Sequence, residues 1–305
     1  MTPTNLAGFA VIDLGVVFAQ ALSGLTNASF LFLVASGLSL IFGVMRILNF
    51  AHGSLYMVGA YAAYQFVAWL GPCEFGFWGA VVLSAVLVAA LGGLIERFLL
   101  RLLYAREELY QLLFTYALVL IFTDLVKVIW GVNQLSVSRP PSLAGSNVVF
   151  GSTLPDYNLF IILLGPAIAL TLWLVLQRTR VGRLIRAAAS DREMLETLGV
   201  NVSLLYFGTF VAGSFLAGLA GALITPVATI VPGMDAEIII ALFIIVVIGG
   251  LGSFWGTFLG AVIYGLVFSF GILLMPRFSL FAVGALMVAV LILRPTGLLG
   301  GRALR

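Results

Sequence analysis

The chain has 305 residues, 62% of them hydrophobic and 9% charged, with a net charge of +3. Soluble domains average roughly 25% charged residues, so this composition excludes a water-soluble globule and fits a protein that faces lipid. Cys73 is the sole cysteine, which excludes an internal disulfide and a cysteine-based metal site, and the positive charge belongs to loops between apolar runs rather than to a nucleic-acid surface.

Charge-free runs of about 20 residues recur along the whole length, as helical crossing of a hydrocarbon core of about 30 Å requires. The alternating pattern of membrane barrel strands is missing. The apolar segments are 8–25, 28–46, 53–71, 76–96, 109–131, 158–177, 203–226, 237–251, 256–275 and 279–294. Asp13 and Gln20 interrupt the first, which reads either as an interfacial amphipathic helix or as a tenth span beside nine firm ones. The pattern predicts an all-α polytopic membrane protein whose residues 1–305 form one transmembrane domain. The N-terminal stretch MTPTNLAGFAVIDLGVV lacks the basic region of a cleavable signal peptide, so it is expected to be retained.

The second segment runs into VMRILNFAHGSLYMVGAYAAY, where Asn49, His52, Gly53 and Ser54 form a polar, glycine-containing break. Irregular backbone at membrane depth survives where it is buried in protein or lines a watery cavity, so these four residues are candidates for a translocation path. The plainer reading is a tight connection at the cytoplasmic face, with Arg46 marking its edge. Farther along, Asp124 and Lys127 are spaced to pair on one helix face, with Lys127 near the outer end. Glu96 beside Arg97 suits a structural helix end. The 132–157 segment contains Pro140-Pro141, which favours extended backbone and makes a helix there improbable. It reads as a periplasmic loop, either a plain connector or a cover over the outer mouth.

Residues 178–201 are the most charged part of the chain. Arg178, Arg180, Arg183, Arg186 and Arg192 lie there with Asp191, Glu193 and Glu196, between charge-free flanks. Ser190 to Glu193 matches a capping box, and Gly199 suits a left-handed helix end, which predicts a helix of about nine residues. Met194, Leu195 and Leu198 share one face of it. Two readings stand: an amphipathic helix resting on headgroups, or a rigid peg for a soluble partner. Arg97, Arg101 and Arg106 form a second cluster, and Arg294, Arg302 and Arg305 a third. An even number of spans separates successive clusters, so all three and the C-terminus are expected in the cytoplasm. Trp69, Trp78 and Trp130 then fall at outer span ends, where indoles anchor.

Asp235 and Glu237 open a later span, where acids suit a helix N-terminus. The run GGLGSFWGTFLG carries two overlapping GxxxG spacings, Gly252-Gly256 and Gly256-Gly260, expected to pack helices closely. Gly213, Ala217 and Gly221 offer the same spacing. Gly53-Ser54 and Gly252-Ser253 hint at an internal repeat. Phosphate-loop, zinc-protease and nucleophile-elbow motifs are missing, so the chain is expected to bind no cofactor and catalyse no reaction itself.

LNFAHGSLYMVGAY (48–61), RAAASDREMLETLGVN (186–201), GLAGAL (218–223), GGLGSFWGTFLGA (249–261) and RPTGLLG (294–300) occur in this order, and with them the chain resembles the LivH-like permeases of branched-chain (hydrophobic) amino-acid ABC importers. The resemblance implies a type II ABC importer-like permease in the bacterial inner membrane. It implies a second related permease subunit, two cytoplasmic ATPase subunits that use ATP and Mg, and a periplasmic substrate-binding protein. It places the coupling helix within 178–201, with Arg186, Ser190, Asp191, Glu193, Met194, Leu198 and Gly199 shaping the ATPase contact. Many members carry a lysine about eight residues before GGxGS; Ala241 stands here, which removes a polar substrate contact expected at that point. The family also serves urea, short amides and aromatic acids. The rival class, an ion-coupled carrier, would need an ionisable relay, for which only Asp124, Lys127 and His52 are at hand.

Overall fold

The computed structural model describes residues 14–104, 106–149 and 152–300. Asp13, Arg302 and Arg305 lie outside the described residues. Eleven α-helices follow in order: α1 (Leu14–Met45), α2 (Ala51–Leu70), α3 (Glu74–Phe98), α4 (Glu108–Trp130), α5 (Asp156–Arg178), α6 (Arg180–Ser190), α7 (Arg192–Thr197), α8 (Val202–Ile224), α9 (Met234–Gly249), α10 (Phe254–Leu274) and α11 (Ser279–Leu293). Seven of these regions among the described residues are long and apolar enough to cross a membrane; α2 and α9 fall outside that group. The chain is thus an all-α multi-pass membrane protein.

The first two apolar segments are not separate. From Leu14 they form one helix of 32 residues. Gln20, which interrupts the pattern, donates to the Ser269 carbonyl of α10, and Ser269 Oγ donates back to the Gln20 carbonyl at 2.8 Å. A reciprocal pair satisfies polar groups that lipid would leave unpaired, so the helix runs through without a break.

Helices α1, α2 and α8 form the centre. In α1, 78% of the most apolar window is buried, against 11% for the last crossing helix, and every residue of α2 from Ala51 to Ala63 is buried. Small residues permit this density. Gly59 meets Gly218, and a Cβ on Gly59 would lie 2.7 Å from that neighbour's backbone. Close backbone approach of this kind substitutes dispersion contact for the hydrophobic drive that lipid does not supply.

At one end of the bundle lies the 132–157 connection. Pro140 is extended, as expected, while Pro141 departs from that expectation and opens a short 3₁₀ turn over Pro141–Leu143, at a position where its missing N–H costs little. Strands β1 (Ser146–Val149) and β2 (Ser152–Pro155) then pair antiparallel. A single bridge, Leu135 to Ile230, ties this connection to the segment after α8. Glu74 at the start of α3 accepts from Trp78 Nε1 at 2.6 Å and from Ser142 Oγ at 2.8 Å, fixing the loop to the bundle.

Candidate functional site

The opposite end of the bundle carries the arginine-rich segment, as two helices rather than one. Thr179 Oγ1 accepts from Gly182 N at 3.1 Å and starts α6, an amphipathic helix with Gly182 and Ala188 buried. Arg186 folds back to donate to the Leu176 carbonyl of α5. Arg46, just past α1, reaches the Ala189 carbonyl at 3.4 Å. A crevice of about 300 Å³ lies between the end of α1 and this corner, lined in part by Arg46, Ser190, Asp191 and Tyr206.

The capping box is displaced by one residue. Ser190 is the last residue of α6, and Asp191 is the N-cap of α7, with Oδ1 accepting from Met194 N at 2.9 Å. A carboxylate at a helix start also meets the positive end of the dipole. The helix it starts has six residues, not nine. Gly199 has φ of 80°, as its glycine identity predicts, with Gly199 N bonded to Glu196 O and Val200 N to Leu195 O. This paired pattern closes the last turn. The shared face of Met194, Leu195 and Leu198 splits: Leu195 is buried, while Met194 is 61% and Leu198 69% exposed. Glu193 and Asp191 are exposed beside them.

Arg192 connects the short helix to the bundle. Its Nε donates to Glu196 Oε1 at 2.9 Å, and its guanidinium lies 5.4 Å from the centre of the Tyr206 ring on α8. Glu196 pushes the Arg192 pKa up, so the cation is fixed. Tyr206 packs edge-on against Tyr104, whose hydroxyl donates to the buried Glu96 of α3. Burial first, and the Glu96 carboxylate second, push the Tyr104 phenol well above its usual range, so it remains a donor. Arg192, Tyr206, Tyr104 and Glu96 thus join α7 to α8 and α3 in one chain of contacts, which the sequence reading missed because its members are far apart in order.

The polar break lies deeper than a surface turn. Gly43 of α1 packs on Gly252, in the turn between α9 and α10, so that level is one edge of the bundle. His52 Nε2 is 2.9 Å from the Val34 carbonyl, about 14 Å along α1 from Gly43 at 1.5 Å per residue. The chain from Met45 to Ala51 therefore turns back into the bundle, and α2 starts inside it. Asn49 and His52 are fully enclosed, and neither amide atom of Asn49 nor Nδ1 of His52 has a partner among the described residues. A Cβ on Gly53 would lie 2.7 Å from the Asp235 carbonyl, so α2 and α9 touch there through backbone. Ser54 Oγ donates to Asp235 Oδ2 at 2.7 Å, and Thr123 Oγ1 of α4 lies 3.1 Å from the same oxygen. Asp235 is 2% exposed. It stands in the first turn of α9, as expected of a helix-start acid, but nothing in its local pattern signals burial between three helices.

Asp124 and Lys127 do pair, at 3.0 Å, on the exposed side of α4. Gly256 and Gly260 face α9, where added Cβ atoms would lie 2.0 Å from Gly249 O and 2.5 Å from Ile245 O. Gly252 is not part of that seam: it sits in the turn before α10 with φ of 76°. The serines of the two Gly-Ser pairs make different contacts: Ser253 caps α10, and Ser54 donates to Asp235.

The family model described as branched-chain amino acid transport system / permease component matches residues 20–291. The permease protein BraD of the high-affinity branched-chain amino acid transport system of Pseudomonas aeruginosa is 29% identical, covering 92% of this chain and 95% of its own. LivH of Escherichia coli K12, a permease protein of the same kind of system, is 29% identical over 92% of this chain and 94% of its own. LivM of the same strain is 26% identical over 86% of this chain and 66% of its own. No solved structure matches.

Proposed function

This chain belongs to the branched-chain amino acid transport permease family, and from that premise we propose that it is the translocating subunit of an ATP-driven importer for branched-chain or other hydrophobic amino acids. Residues 178–201 are its coupling loop, in the cytoplasm with the C-terminus. Two ATPase subunits dock there, binding the ATP and Mg that this chain does not. A second, related permease completes the membrane part, in keeping with the two permeases LivH and LivM named for Escherichia coli. A periplasmic protein delivers the substrate on the 132–157 side, and the host membrane is the bacterial inner membrane.

The observation that carries the reading is the exposed pair Met194 and Leu198 on a rigid, double-capped helix at the arginine-rich end. Two exposed apolar side chains beside the exposed charges of Asp191 and Glu193 make a mixed surface that suits a protein contact. Arg186, Ser190, Asp191, Glu193 and Gly199 shape and hold that surface. ATP-driven closure of the ATPases pushes on α7, and the contacts from Arg192 to Glu96 pass the motion to α8 and α3. The enclosed stretch from Asn49 to Ser54 borders the path that opens alternately to either side. Such rocking requires that the ATPases contact the two states differently.

The test is Met194→Asp with Leu198→Asp in a tagged chain expressed with its ATPases. Membrane insertion should be unchanged and co-purification of the ATPases lost. Retained co-purification would remove α7 from the coupling role. Leucine uptake that survives ATP depletion in vesicles with an ion gradient would refute the importer itself.

A further inference from the structure

Asp235 is a buried carboxylate with too few donors. Ser54 Oγ and Thr123 Oγ1 both approach Oδ2, and among the described residues none reaches Oδ1. Thr123 has one hydroxyl proton, and the Val119 carbonyl at 2.8 Å competes for it. The ion pairs among the described residues are Asp124 with Lys127 and Arg192 with Glu196, so Asp235 has no cation. Lys127, one turn beyond Thr123 on α4, is turned to Asp124 on the outer side. An ionised carboxylate enclosed without a neutralising cation costs several kcal/mol, which two hydroxyl contacts offset only in part. Ionisable groups kept at membrane depth mark the route of a transported species.

The depth is fixed twice. Asp235 lies about 21 Å along α9 from Gly249 at the coupling end, and Thr123 lies about 10 Å along α4 from Trp130 at the other end. The two counts together match a hydrocarbon core of about 30 Å. At that level α2 has just begun, so Asp235 sits beside a helix that starts inside the membrane, the setting in which carriers hold substrates.

We propose that Asp235 receives the ammonium group of the transported amino acid, with the Ser54 and Thr123 oxygens completing its shell. An ammonium brings three donors and a full charge to an acceptor-rich site. Ile238 and Ile239, beside Gly53, supply apolar surface for an aliphatic side chain. This assignment rests on the import reading, and it adds the polar contact that the alanine at 241 does not provide.

The experiment uses the assembled complex of permeases and ATPases. Its thermal stability is measured with leucine, with isoamylamine, which keeps the ammonium and lacks the carboxylate, and with 4-methylpentanoate, which does the reverse. Leucine and the amine should raise the Tm and the acid should not; Asp235→Asn should abolish both responses. A stronger response to the acid, no response to leucine and amine, or an unchanged response in Asp235→Asn would overturn the assignment. ATP-dependent leucine uptake should fall by at least about tenfold in Asp235→Asn, the loss expected when a charge-assisted contact is removed. If that variant does not assemble, Ser54→Ala with Thr123→Ala keeps the carboxylate and should still reduce uptake; uptake at the wild-type level would overturn the site. Failure of the wild-type complex to take up leucine would instead count against the import reading.

Discussion

A single methyl group separates tolerated from damaging positions among the helical glycines. A Cβ on Gly53 would meet the Asp235 carbonyl at 2.7 Å, whereas a Cβ on Gly208 in α8 would meet nothing within 4 Å. Alanine is favoured over glycine in a helix by about 1 kcal/mol. Gly208→Ala should therefore leave the Tm of the purified protein unchanged or raised. Gly53→Ala must push α2 and α9 apart, and should lower both the Tm and leucine uptake. Equal Tm values for the two variants would show that the helices can shift freely. The same scale shows what local sequence reveals. The glycine at 199 and the helix-ending acid and serine at 190–191 were legible, because capping is a local affair. Which of Ser190 and Asp191 caps was not, because α6 runs through Ser190 and leaves the role to its neighbour. The environment of Asp235 was not legible either, since its partners Ser54 and Thr123 come from α2 and α4.

Long apolar helices announce themselves by length, so α3, α4, α5, α8, α9, α10 and α11 begin and end within a few residues of the apolar runs. The elements that the pattern obscures are those where polarity has a tertiary cause. Gln20 looked like an interruption of a span and is instead matched by Ser269. The arginines of α6 looked like a loop, although Val181, Leu184, Ile185 and Ala188 among them keep helical spacing. For α7 the bounds bear on the proposed coupling role, because a helix of six residues has little margin. Glu196 lies in its interior, where proline removes a hydrogen bond and clashes with the preceding turn at about 3 kcal/mol. Glu196→Pro should abolish co-purification of the ATPases. Glu196→Ala loses only a half-exposed ion pair worth roughly 0.2–1 kcal/mol, and should retain it. Loss of association in both variants would mean that the carboxylate itself, rather than the helix, makes the contact.

At the scale of the molecule the two ends differ in charge. Arg46, Arg97, Arg101, Arg106, Arg178, Arg180, Arg183, Arg186, Arg192 and Arg294 lie at or beside the end that carries α6 and α7, while Arg139 and Arg277 are at the other. The helices that turn the chain between these groups come in pairs, α4 with α5 and then α8 to α11, so the arginines return to one side each time. The proposed orientation puts these basic residues in the cytoplasm, the usual side for arginines of short loops, and Trp78 and Trp130 at the headgroup level of the opposite face. Both Trp78 and Trp130 are pinned there by acceptors, Glu74 at 2.6 Å and Gln65 at 3.1 Å. Fusions test the orientation directly. Green fluorescent protein after Arg305 should fluoresce and alkaline phosphatase there should be inactive, while alkaline phosphatase inserted near Gly145 should be active. An active phosphatase at the C-terminus would place α7 on the outer side of the membrane, out of reach of any ATPase, and the coupling role of Met194 and Leu198 would fall with it.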